Sequence, residues 1–193
     1  MPKVEPPKDI LPALSSLTEW LKHQGVPYAI IGGVAVGLVT QPRATHDIDA
    51  VAWLDLADLP IVLNNAADFG FNSRLADPQS FAEQTRMLLL IHSETGLHVD
   101  ISCGALPFEQ EMIERALEIK LESLLLRVAS PEDLLISKIL AHRGKDLIDV
   151  ENLLSVYHDL DWSRVRSWVK QFADILETPE LLADLEERLK GRH

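Results

Sequence analysis

The stretch IIGGVAVGLVTQPRATHDIDAVAW, residues 30–53, decides how this chain is read. Gly32 and Gly33 interrupt one apolar run, and Asp47 and Asp49 flank a single isoleucine at the head of another. VPYAII reads as a strand entered after Pro27, Gly-Gly as a turn, VAVGLV as the start of a short helix, and DIDAVAW as an alternating strand. Residues two apart in a strand project to one face, so Asp47 and Asp49 lie side by side while Ile48 and Ala50 turn to the other. Two carboxylates a few ångströms apart repel, and one is protonated unless a cation sits between them. A hard divalent ion such as Mg²⁺ resolves that conflict. The alternative is an Asp-x-Asp pair that caps a turn at a strand end. The glycines also read two ways. Phosphate oxygens approach backbone N–H groups closely only where no Cβ intervenes, which makes Gly32 and Gly33 a phosphate cradle. Otherwise they form a tight strand-to-helix turn with no ligand.

Working outward, Ile10, Leu14, Leu17 and Leu21 recur at helical spacing and Gly25 stops that helix. LADLPIVLNNAADFG predicts one helix ended by Gly70, with Pro60 near its first turn. RMLLLIH and LHVDIS form a hairpin across SETG. LEIKL and LLLRVA suggest a second strand pair, although neither Glu122 nor Ser123 between them readily takes positive φ. From Ser130 onward the pattern is helical: Ser130 is an N-cap, Pro131 suits the first helical position, and Asp161 caps a later helix. The expected fold class is α/β (α+β), a mixed twisted sheet flanked by helices over residues 1–129, with a helical region over 130–193 packed on it.

In LHVDIS, Asp100 shares a strand face with His98 and Ser102. If the strand opening at Asp47 pairs near this hairpin, Asp100 completes a cluster of three carboxylates, a geometry that supports two-metal phosphoryl transfer. KILAHRGKD gathers Lys138, His142, Arg143 and Lys145. It is either an anion-facing patch or a helix C-terminus dressed with cations that its dipole favours. Several other site types are excluded. GGVAVG has the wrong spacing for a dinucleotide fingerprint, and no Lys-Ser or Lys-Thr pair follows for a P-loop. No Gly-x-Ser-x-Gly elbow occurs. His46-Asp47 spells the dipeptide of helical metal phosphohydrolases, but here it opens a strand. The four tryptophans, Trp20, Trp53, Trp162 and Trp168, read as packing residues.

Composition narrows the class. With 47% hydrophobic and 25% charged residues, the 193-residue chain can bury a core rather than remain disordered. A net charge of −12 gives no global attraction for nucleic acid or anionic membrane. One cysteine, Cys103, allows no internal disulfide. MPKVEPPKDI has no apolar h-region, and no run is long enough to span a bilayer. These features predict a cytoplasmic protein without a membrane partner.

IGGVAVGLVTQPRATHDIDAV resembles the signature of the DNA polymerase β-like nucleotidyltransferase superfamily, and VDI at Asp100 is similar to its third carboxylate motif. Arg43-x-Thr45-x-Asp47-Ile-Asp49, with SPEDLLISKILAHRGKDLIDVENLL downstream, looks like the branch of AbiEii-type toxins and minimal nucleotidyltransferases. The resemblance spans roughly residues 25–155. It implies transfer of a nucleoside monophosphate from an NTP to an acceptor hydroxyl, with pyrophosphate released. It also implies two Mg²⁺ ions on Asp47, Asp49 and Asp100, with Asp100 helping to activate the acceptor. Gly32 and Gly33 would hold the triphosphate, Arg43 and Thr45 would shape the pocket, and Lys138 with Asp146 would match a downstream pair in which Lys138 contacts phosphate. The acceptor stays open among tRNA, a protein side chain and a small molecule, and an antitoxin is the implied partner of a toxin. Two other classes remain: a nucleotidyltransferase-like binding module with weak or no catalysis, and a metal-dependent phosphohydrolase.

Overall fold

The computed structural model describes residues 10–41, 45 and 47–190. The chain forms two compact units. One holds the described residues up to Leu38 and those from Thr45 to Ala129; the other holds Val39–Gln41 and those from Ser130 to Lys190.

The first unit is built on a mixed seven-stranded sheet. Its strands are β1 (Tyr28–Ile31), β2 (Asp47–Ala52), β3 (Phe71–Ser73), β4 (Met87–His92), β5 (His98–Cys103), β6 (Leu117–Leu121) and β7 (Leu124–Val128), in the order β3-β4-β5-β2-β1-β7-β6. The central pair β2/β5 is parallel and in register along its whole length, while β1/β2, β4/β5, β3/β4 and β6/β7 are antiparallel. Alternation decides the faces. Ile48, Ala50, Leu88, Leu90, Val99 and Ile101 are buried on one side, and helix α1 (Ile10–His23) packs there. Its Trp20 ring lies 5.3 Å from Phe71, and its Ser16 hydroxyl is 3.1 Å from the His92 imidazole. The predicted α1 stripe is buried together with Ile10, Ala13 and Trp20, and Gly25 ends it at φ +65°.

Helix α2 (Gly32–Val39) begins at the first glycine rather than after the second. The predicted helix through residues 56–69 is instead a 3-10 turn at Leu56–Asp58, a short α3 (Leu59–Asn64) and a second 3-10 turn at Ala66–Phe69, closed by Gly70 at φ +82°. The break falls at Asn65, whose side-chain oxygen accepts from Trp20 Nε1 and Gln24 Nε2 and so competes with helix continuation. The β6–β7 hairpin corrects the expectation for Glu122. Pairing of Leu121 with Leu124 leaves a two-residue loop that demands a left-handed residue, and Glu122 supplies it at φ +52°. Trp53 packs over Gly104, where an added Cβ would come within 3.1 Å of its ring, although it is 38% exposed.

Two helices in this unit have no counterpart in the sequence reading. α4 (Pro78–Thr85) is capped by Asp77, whose Oδ1 accepts from Ser80 N. α5 (Pro107–Glu114) is capped backwards, the Glu109 carboxylate accepting from the N–H groups of Ala105 and Leu106.

The second unit contains α6 (Pro131–Ala141), α7 (Gly144–Val156), α8 (Trp162–Leu176) and α9 (Glu180–Leu189). Ser130 caps α6 as expected, its Oγ accepting from Asp133 N while donating to the Asp133 carboxylate. Asp133 is fully buried and paired with Arg164, 2.8 Å away on α8. Asp161 caps α8 through Arg164 N. Arg188 of α9 bonds Glu151 of α7. Among the described residues no helix is long and apolar enough to cross a membrane.

Candidate functional site

Strand register brings the separated aspartates together. In the β2/β5 pair Asp49 is the register partner of Asp100, and Asp47 is the partner of His98. Neighbouring strands lie about 4.8 Å apart, so the three acidic side chains occupy two adjacent rows of one sheet face. This is the face opposite Ile48 and Val99. Exposure decreases from the strand start inward: the Asp47 side chain is 57% exposed and that of Asp100 29%. His98 Nδ1 lies 3.6 Å from Asp47 Oδ1. Further along the face Ser102 donates to Glu109 of α5, so α5 covers that end.

The Asp49 row continues into β1, where Ile31 is its partner, and the next residue is Gly32. Gly32 has φ +67°, and a Cβ built there would lie 2.0 Å from Asp49 Oδ2. The Asp49 carboxylate thus fills the space that any side chain at 32 would need, beside the first turn of α2. Gly32→Ala must adopt a left-handed backbone and also displace that carboxylate. We expect it to lower stability by at least about 1–2 kcal/mol from the backbone alone. Urea unfolding measures this, and a wild-type midpoint would mean that the backbone and Asp49 give way at no cost.

The same row continues the other way to a residue that the sequence reading missed. Arg74 follows β3, its N–H bonds Leu89 O, and Leu89 is the β4 partner of Asp100. Its guanidinium reaches across β4 and bonds Asp100 Oδ1. Burial raises the Asp100 carboxyl above the usual range; Arg74 and His98 pull it down, and the charge of Asp47 pushes it up. No local signal marks Arg74, since NSRLADP carries no motif and only the β3/β4/β5 register places it.

The donors are the hard oxygens that Mg²⁺ takes, and they share one face. Among the described residues, however, no three His, Cys, Asp or Glu side chains already converge to hold a metal. The set fits such an ion in kind, and one of its oxygens, Asp100 Oδ1, is held by Arg74. Thr45 Oγ1 donates to Asp47 O and so fixes the start of β2. Arg43 and His46 lie outside the described residues. Burial pushes the Cys103 thiol up to about 11, which leaves it a core residue rather than a nucleophile.

Lys138 and Asp146 meet within the second unit. Lys138 Nζ lies 3.0 Å from Asp146 Oδ1 and 2.8 Å from Asp149 Oδ2, and both carboxylates are fully buried. Arg143 adds a second cation, Nε to Asp146 Oδ2 at 2.5 Å. The turn between α6 and α7 folds Asp146 and Asp149 of α7 onto Lys138 of α6. Burial raises the Asp146 carboxyl, but hydrogen bonds from Arg143 and Lys138, with their charges, outweigh it and hold the group below the usual range.

The family described as "Nucleotidyltransferase of unknown function (DUF6036)" matches residues 10–186. No curated protein matches the chain. Among solved structures, an antigenic nucleotidyltransferase-like protein from Paracoccidioides brasiliensis is 17% identical, with 91% of this chain and 93% of that one covered, at a TM-score of 0.58. The lincosamide antibiotic adenylyltransferase LnuA, in its lincomycin-bound form, is 22% identical over 81% of this chain and 100% of its own, at 0.53. The antibiotic-resistance factor ANT(2'')-Ia is 13% identical over 88% and 94%, at 0.58. At these identities the likeness is one of fold, and it agrees with the mixed α/β architecture.

Proposed function

Because the chain belongs to the DUF6036 family of nucleotidyltransferases of unknown function, we propose that it transfers a nucleoside monophosphate from an NTP to an acceptor hydroxyl at the Asp47/Asp49/Asp100 face. One observation carries the reading: Asp49 and Asp100, 51 residues apart in sequence, are direct register partners beside Gly32.

Asp47, Asp49 and Asp100 would hold Mg²⁺. Bound there, the divalent ions neutralise the triphosphate and the charge that develops during in-line displacement. The acceptor oxygen forms a bond to the α-phosphorus as the bond to the β-phosphate oxygen breaks, and pyrophosphate leaves. Asp100 takes the hydroxyl proton as the acceptor oxygen attacks. Gly32 and Gly33, at the head of α2, offer backbone N–H groups to the triphosphate without an intervening Cβ. Thr45 holds the start of β2, and Arg43 contributes a cation to the same segment. Asp146 and Asp149 use two donors of the Lys138 ammonium, and the third is the one offered to an anion. The core is assigned to residues 1–129 and the helical region to 130–193.

A small hydroxylated molecule is the leading acceptor. Two solved structures that share the fold are named for adenylyl transfer to antibiotics or for an adenylylated one. A net charge of −12 opposes unaided tRNA binding. The AbiEii-type resemblance supports the other version, a cytoplasmic toxin that modifies tRNA or protein and is restrained by an antitoxin.

Incubation of the purified chain with each α-labelled NTP, Mg²⁺ and separate pools of small hydroxylated compounds, tRNA and protein tests the reading. Label is expected in the small-molecule pool, with pyrophosphate released in equal amount. NTP binding without transfer to any pool would leave a binding module. Orthophosphate released without labelled acceptor would make the chain a hydrolase.

A further inference from the structure

We propose that Arg74 occupies Asp100 until a divalent cation arrives, then turns its guanidinium to the nucleotide's phosphates. The inference rests on the metal-dependent reading above.

Three observations converge on it. Arg74, Asp100 and Asp49 stand in one row of the sheet, so the guanidinium is held at the carboxylate that the metal set needs. The pair uses Arg74 Nη2 on Asp100, whereas Arg74 Nε is buried and has no hydrogen-bond partner. A structural arginine–carboxylate pair usually engages both edges of the fork; this one leaves a buried donor unsatisfied, which favours release when a better arrangement is offered. Finally, Asp47, Asp49 and Asp100 crowd one face, and a guanidinium stays charged at any working pH, so Arg74 stabilises that face before metal binds.

A guanidinium and a divalent ion that share one carboxylate compete. Removing the guanidinium must therefore tighten metal binding, which is opposite to the effect of damage to the fold. The metal also changes where Arg74 is useful. Once Asp100 faces the ion, the freed guanidinium, in the same row of the sheet, can turn to phosphate that the ion holds and engage it through two edges.

The test titrates Mn²⁺ calorimetrically into the full chain of wild type, Arg74→Met and Arg74→Lys, then titrates ATP into each at saturating Mn²⁺. Arg74→Met is expected to bind Mn²⁺ about fivefold more tightly and ATP about tenfold more weakly, with Arg74→Lys between wild type and Met in both. Arg74→Gln replaces the Met variant if that one does not fold. Unchanged or weaker Mn²⁺ binding in a folded variant overturns the proposal alone. Wild type that binds no Mn²⁺, or binds it as well after Asp47→Asn with Asp49→Asn, overturns the metal reading and this inference with it.

Discussion

Asp49→Asn is expected to lower nucleotidyl transfer by at least about 10³-fold while leaving the folded state close to wild type. Asparagine keeps the shape of aspartate and removes its charge. The carboxylate is wedged against Gly32, within the space of a missing Cβ, so an isosteric replacement disturbs packing little. What changes is the acidity of a face on which Asp49 is the register partner of Asp100. If Asp49 served only to cap a turn, asparagine would serve as well, because both side chains accept backbone N–H bonds. The substitution therefore separates the two readings of the Asp-x-Asp pair in a way that alanine would not. Transfer is measured with labelled NTP, and the fold by far-UV circular dichroism and urea midpoint. A variant that transfers within about fivefold of wild type would sink the assignment of Asp49 to the reacting face. The parallel loss in Asp47→Asn should be smaller, since Asp47 sits one row out and is more exposed.

The sequence made one half of this site legible and hid the other. Alternation in DIDAVAW and LHVDIS assigned each aspartate to a face, because the strand period is two and the intervening residues are apolar; burial of Ile48, Val99 and Ile101 agrees. Register between strands is not a local property. Whether Asp100 meets Asp49 depends on a parallel pairing set by the whole β-sheet, so the strand faces raised the cluster only as a condition on register, and the resemblance to a known signature favoured it. Arg74 was invisible for the same reason: β3 is three residues long, too short for a period, and its arginine gains meaning only across two further strands. The missed helices had signals, namely Asp77-Pro78 ahead of α4 and Pro107 with Glu109 at the start of α5. Both span eight residues, where capping chemistry outweighs a hydrophobic stripe too brief to read. The division of the predicted 56–69 helix into three pieces depended on Asn65 being claimed by Trp20 and Gln24, a tertiary contact.

Lys138→Met is expected to destabilise the chain by about 3–5 kcal/mol at neutral pH. Two aspartates, Asp146 and Asp149, are fully buried against the Lys138 ammonium, and Met removes the charge while retaining much of the volume. Leaving buried carboxylates without that cation costs far more than losing an exposed pair. Arg143 still reaches Asp146, but its own side chain is 62% exposed, so it compensates poorly for the lost partner of Asp149. The pH dependence distinguishes this from simple loss of packing. In wild type the Asp146 carboxyl is held below its ordinary value, so its contribution is fully present above the unfolded carboxylate value of about 4 and fades as pH falls through the folded one. In Lys138→Met burial of Asp146 is opposed by less positive charge, its folded value rises, and its ionisation no longer contributes the same stability. The stability gap between the two proteins should therefore be widest near pH 7 and narrow toward pH 4. Urea unfolding at several pH values reads it directly. A gap that stays constant across that range would mean that Lys138 contributes through packing, and that the buried carboxylates do not depend on its charge.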